Sequence, residues 1–114
     1  MNFHGKTAIV TGGAGFLGSH LVDRLLELGI DVTVVDMSNK NSRKLAHIID
    51  RIEFIDADIS NSENLEKLEP ADFIFHLAAY AVPTLCEKYP DIAFRSNVLG
   101  TYNILKFALE TSAK

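Results

Sequence analysis

Very little in this chain of 114 residues points away from a reducing, aqueous compartment. It has one cysteine, Cys86, which excludes an internal disulfide framework and makes a cytoplasmic setting the expectation. No neighbouring residue supports Cys86 as a nucleophile, so it reads as a small, partly buried hydrophobe. The first six residues lack the apolar stretch of a secretory signal. The longest nearly apolar run, residues 73–86, is broken by His76 and Pro83 and is too short to cross a bilayer. Charge of one sign is scarce as well. Eleven Lys and Arg stand against 15 Asp and Glu, a net charge of −4 that leaves no footprint for nucleic acid or an anionic membrane. His4, His20 and His47 are scattered, and His76 has no second ligand at metal-binding spacing. There is no repeat, low-complexity tract or linker. The 47% hydrophobic content argues against disorder and for one domain with a real core, residues 1–114, though a short one for an enzyme.

What is present is an alternation of apolar runs with segments of helical period, the pattern of a parallel α/β sheet. Strands are predicted at residues 7–11, 31–36, 52–58 and 73–78, the last apolar on both faces as a buried parallel strand should be. The first helix is expected to bury Leu17, Leu21, Val22, Leu25 and Leu26, with Gly29 at its C-terminal cap. A short helix from Ser42 presents Leu45, Ile48 and Ile49. Ser60 and Glu63 have capping-box spacing for a helix carrying Leu65 and Leu68, which Pro70 ends. Residues 80–90 read as irregular between Pro83 and Pro90. A long helix from about Asp91 carries Phe94, Val98, Tyr102, Leu105 and Leu109 as a sheet-facing stripe. Right-handed crossovers then give a Rossmann-type sheet of about four strands in order 3-2-1-4, with helices on both faces. Ligands of such sheets bind at the switch point between strands one and four.

The glycine run sits at that point. Thr11-Gly12-Gly13-Ala14-Gly15-Phe16-Leu17-Gly18 follows the first strand and opens the first helix. A strand, a glycine turn and a helix in that order make a pyrophosphate cradle, because bare backbone admits the phosphates and the helix N-terminus offers N–H donors. Gly13-x-Gly15-x-x-Gly18 and Gly12-x-x-Gly15-x-x-Gly18 both fit, so the spacing leaves the variant of the fingerprint open. Asp36 ends the second strand about 20 residues on, where an acidic side chain accepts from the adenosine ribose hydroxyls. No arginine stands among Met37, Ser38 and Asn39 to receive a 2′-phosphate, so NAD is expected over NADP; Lys40 and Arg43 are the nearest cations.

Four patterns in series resemble the extended short-chain dehydrogenase/reductase family of nucleotide-sugar epimerases and dehydratases. They are Thr11-Gly12-x-x-Gly15-Phe16-Leu17-Gly18, Asp58-Ile59, His76-Leu77-Ala78-Ala79 and Asn97-Val98-Leu99-Gly100-Thr101-x-Asn103. The resemblance covers essentially the whole chain. It implies an NAD-binding domain in which Asp58 bonds the adenine amino group and Ile59 supplies an amide and an apolar wall. It further implies that Leu77, Ala78 and Ala79 run along the nicotinamide side and that Asn97 braces the helix beneath. Read without the resemblance, Asp58 is a helix-capping carboxylate, Ala78 and Ala79 are small packing residues, and Asn97 is an amide bonded to backbone.

The family's acid/base pair, Tyr-x-x-x-Lys, lies beyond a fifth strand, which would be about to start where Ser112-Ala113-Lys114 stands. Tyr102 and Lys106 have that spacing but fall one helix too early. The expectation is therefore the cofactor-binding portion of a nucleotide-sugar oxidoreductase, inactive alone. Alternatives are a stand-alone dinucleotide-binding or regulatory module, or a protein whose sheet is completed by a second chain or by self-association.

Overall fold

β-Branched residues crowd the first two apolar runs, and both fold as strands, β1 (Thr7–Thr11) and β2 (Asp31–Asp36). The computed structural model describes residues 2–37 and 43–114. Between β1 and β2 runs helix α1 (Phe16–Glu27), and Gly29, at φ 79°, supplies the left-handed residue that ends it. A 3₁₀ segment (Ala46–Arg51) leads to β3 (Glu53–Asp56), helix α2 (Ser62–Leu65) and β4 (Phe73–His76). Then come α3 (Pro83–Lys88), α4 (Pro90–Phe94), a π-type turn (Arg95–Leu99) and α5 (Gly100–Thr111).

All pairings are parallel and the strand order is β3-β2-β1-β4, as the alternation implied. Side-chain alternation along the strands sends residues to two cores. Ala8, Val10, Val32 and Val34 pack with Val22 and Leu25 of α1 and with Leu45 and Ile48. Ile9 and Val35 face the other way, onto Ile59, Leu65, Leu68 and Ile104. Helices therefore cover both faces, and the C-terminal ends of β1, β2 and β4 open on one rim.

Several local expectations need correcting. Leu17 is 70% exposed, because the buried face of α1 runs through Gly18, Ser19, Val22 and Leu25. Asn61, not Ser60, caps α2: its side chain accepts the Glu63 N–H at 3.1 Å, and Ser60 is instead held by Asp58. Within residues 80–90 a helix forms after all, since Pro83 occupies its first turn, where a missing N–H costs nothing. The third and fourth strands are shorter than predicted, ending at Asp56 and His76. The start of the helix expected at Ser42 lies outside the described residues.

The stripe on the last helix is the largest reversal. Phe94, Val98, Tyr102, Leu105 and Leu109 all point outward, Leu109 at 83% exposure. The sheet side is formed by Gly100, Asn103, Ile104 and Phe107. Close approach decides this: a Cβ on Gly100 would stand 2.8 Å from Ile59 Cγ1, and Asn103 Nδ2 donates to the Ile59 carbonyl at 2.9 Å. The face with the strongest apolar character is thus not the core face.

Candidate functional site

The turn after β1 is shaped by contacts that forbid side chains. Gly12 has φ 72°, and a Cβ there would meet the Ala78 nitrogen at 2.7 Å. A Cβ on Gly13 would meet Val34 Cγ1 at 2.7 Å, and one on Gly18 the Gly12 carbonyl oxygen at 2.2 Å. Gly15 differs. Its backbone is extended (φ −77°, ψ 179°), and a Cβ would find only the Gly12 oxygen, at 3.3 Å. Gly15 is also the N-cap of α1, with no side-chain cap and no acidic residue in the first turn. The first N–H groups of the helix have no intrahelical partner, and its dipole is not neutralised there.

In front of this turn lies a cleft of about 650 Å³. Its floor includes Gly12, Gly15 and Val35, and one wall carries Asp36, Ala57, Asp58 and Ile59. The opposite wall is Leu77, Ala78, Ala79 and Tyr80, closed by Ile92, Arg95 and Ser96. Eight of the expected site residues therefore meet: Gly12, Gly15, Asp36, Asp58, Ile59, Leu77, Ala78 and Ala79. Phe16, Leu17, Gly18 and Asn97 do not line it. Phe16 and Leu17 stand on the exposed first turn of α1, whose N-terminus adjoins Gly15, and Gly18 packs under the turn. Ser38, Asn39 and Lys40 lie outside the described residues.

Asp36 accepts the Ala14 N–H at 3.0 Å, which ties the end of β2 to the glycine turn. Asp58 Oδ1 accepts the Ser60 N–H at 2.9 Å, so its local turn role is real whatever else it binds. Asn97 clamps the far wall, accepting the Tyr80 N–H at 2.8 Å and donating to the Tyr80 carbonyl at 2.9 Å. The π-type turn brings it there. The near end of that wall hangs on Thr11, whose hydroxyl accepts N–H bonds from Leu77 and Ala78 at 3.1 and 3.2 Å. His76 bridges Thr11 and Thr101, and its burial lowers the imidazole pKa from the ordinary value.

Sequence reasoning missed Ile92, Arg95 and Ser96. Their i, i+3, i+4 spacing on one helix face was the available signal. Tyr102 and Lys106 do not line the cleft, and Tyr102 is 60% exposed on the outer face of α5. Among the described residues, no helix is long and apolar enough to cross a membrane. No group of three His, Cys, Asp or Glu among them could hold a metal ion.

The profile of the NAD dependent epimerase/dehydratase family matches residues 8–114. UDP-glucuronic acid decarboxylase 1 of Arabidopsis thaliana is 38% identical over 109 residues, covering 93% of this chain and 24% of that protein. Among solved structures, the epimerase Mth375 of Methanothermobacter thermautotrophicus superposes with a TM-score of 0.89 at 31% identity, over 97% of this chain and 34% of that one. The Bordetella bronchiseptica enzyme WbmF in complex with NAD+ gives 0.83 at 30%, again over 97% and 34%. The chain thus spans between about a quarter and a third of the length of these proteins.

Proposed function

The chain belongs to the NAD-dependent epimerase/dehydratase family, and from that premise we propose that its cleft binds NAD(H). The observation that carries the reading is the contrast among the glycines. Three of them are bare because protein atoms would stand within 2.7 Å of a Cβ, whereas at Gly15 the one atom within reach among the described residues is the Gly12 carbonyl oxygen, at 3.3 Å. A pyrophosphate placed there would meet the uncapped N-terminus of α1, with Phe16 and Leu17 in its first turn. Asp36 would accept from the adenosine ribose hydroxyls, and Asp58 and Ile59 would flank the adenine. Leu77, Ala78 and Ala79 would border the nicotinamide, with Asn97 holding that wall in place. NAD, when bound, supplies a hydride acceptor for a sugar hydroxyl carbon. This chain's part is to hold and orient the dinucleotide. The matching substrate class, a nucleotide sugar, and a cytoplasmic setting belong to the same proposal.

Mixed with NAD⁺ and UDP-sugars, the chain alone should produce no NADH absorbance, because Tyr102 and Lys106 stand away from the cleft. NADH formation abolished by Tyr102→Phe would overturn that assignment. Calorimetric titration with NAD⁺ tests the binding itself; absence of heat with a folded chain would refute it.

One observation favours a further strand against β4. Lys114 donates its N–H to the Asp72 carbonyl at 3.0 Å and accepts the Ile74 N–H at 2.7 Å. These two bonds are the repeat of a parallel pair. We propose that β4 is a pairing edge at which a fifth strand, from this or another chain, completes the sheet.

A further inference from the structure

The wall formed by Leu77 and Ala78 is held by a hydroxyl whose three directions are all spent. Thr11 Oγ1 receives the Ala78 N–H at 3.2 Å and a share of the Leu77 N–H at 3.1 Å; Leu77 also reaches the Thr11 carbonyl at 3.0 Å. A hydroxyl has one proton and two lone pairs. Both lone pairs face amides, so the proton must point at the remaining neighbour, His76 Nδ1, at 2.6 Å. Nδ1 is then the unprotonated nitrogen, and Nε2–H donates to Thr101 Oγ1 at 2.9 Å. This arrangement of donors and acceptors suits a neutral ring that carries its proton on Nε2.

We propose that His76 is a positioning residue for the nucleotide cleft, and that the cleft holds its cofactor more tightly while this ring is neutral. The inference rests on the NAD reading above. Adding a proton at Nδ1 turns that nitrogen into a donor. Thr11 would then have to present a lone pair to the ring and swing its own proton towards an amide N–H. Donor would face donor at Leu77 or Ala78. The Ala78 nitrogen also packs on the glycine turn, 2.7 Å from where a Gly12 Cβ would stand. Loosening that step therefore moves the wall against the cradle. Its other end stays fixed by Asn97 on Tyr80, so the displacement falls on residues 77–79.

Among the described residues no charged side chain bonds the ring. β1 carries no titratable group, and the loop after β4 carries Tyr80. On α3 stand Cys86, Glu87 and Lys88, and the helix from Pro90 carries Asp91, Arg95, Tyr102, Lys106 and Glu110. Burial lowers the pKa of the imidazole, which keeps it neutral at physiological pH.

The test is calorimetric titration with NAD⁺ between pH 7.5 and pH 5, with circular dichroism confirming the fold at each point. Wild type should lose affinity by roughly 3- to 10-fold on the acid side, the worth of one hydrogen bond. In His76→Asn, whose side-chain oxygen can still accept from Thr11, the acid-side loss should vanish, whatever its affinity at pH 7.5. That control separates His76 from Asp36 and Asp58 in the same cleft. Nitrogen-15 NMR of the ring gives an independent readout: Nε2 should carry the proton and Nδ1 none. A ring protonated on Nδ1, or a pH dependence identical in wild type and His76→Asn, overturns the inference while leaving the NAD reading intact. No NAD⁺ binding at any pH refutes the NAD reading instead, and the inference with it.

Discussion

Substitution of the glycines one at a time separates folding from ligand binding. Gly18→Ala would gain about 1 kcal/mol from helix propensity. Against that, its Cβ would lie 2.2 Å from the Gly12 carbonyl oxygen and 2.8 Å from the Gly13 Cα. Both are backbone atoms and cannot swing aside, so the overpacking penalty of about 1–3 kcal/mol, or more, prevails. The melting temperature should fall by several degrees, at about 4–8 °C per kcal/mol for a domain near this size. Gly15→Val presents the reverse case. The extended backbone suits a β-branched residue, and the nearest atom among the described residues, the Gly12 carbonyl oxygen at 3.3 Å, has to give by only a few tenths of an ångström. A poorer N-cap costs about as much as the stiffer unfolded chain returns, which leaves that contact to set the change, so stability should fall by less than in Gly18→Ala. The branched side chain, however, fills the place where the pyrophosphate would meet the N-terminus of α1. Two charge-assisted hydrogen bonds lost at about 1.5–3 kcal/mol each predict NAD⁺ affinity at least ~100-fold weaker. Thermal denaturation and calorimetric titration of both variants decide the matter. Equal melting losses for the two would show that Gly15 is a folding residue, and full NAD⁺ affinity in Gly15→Val would remove the pyrophosphate from this turn.

Asp36 should make the chain prefer NAD⁺ over NADP⁺, and Asp36→Asn should narrow the preference while keeping the Ala14 bond; equal or tighter NADP⁺ binding by wild type would sink that role. The exposed stripe on α5 should drive self-association, so Leu105→Glu with Leu109→Glu should yield a monomer of unchanged melting temperature, whereas a wild-type monomer at high micromolar concentration in sedimentation rejects the idea. Asp72 accepts from the Thr7 N–H and hydroxyl, and the backbone bond chiefly lowers its pKa. Its contribution to stability is present above the ordinary carboxylate pKa and lost as pH falls through the lower folded value, so Asp72→Asn should shallow the acid limb of a stability profile. An unaltered acid limb in that variant would count against the assignment.

Periodicity and punctuation made the sheet legible before any coordinates. Val32-Thr33-Val34-Val35 and Thr7-Ala8-Ile9-Val10 can hardly be anything but buried strands, and a crossover between parallel neighbours has one hand, so the order 3-2-1-4 followed. The glycine run and Asp36 were legible for the same reason: a short loop places its residues by chain geometry alone. Residues that meet across long sequence separations were not. Nothing local distinguishes the outer stripe of α5 from its inner one, and a counting rule favours the more apolar. The choice was made by Gly100 and Asn103, whose small size and amide fit Ile59, 44 residues away from Asn103. Ser60 lost its capping role to Asn61 because Asp58 holds its N–H. Both ring nitrogens of His76, which interrupts an otherwise apolar strand, are bonded. The tautomer we propose follows from the amides of Leu77 and Ala78 on Thr11, a count of donors and lone pairs that exists only once three segments of the chain have been folded together.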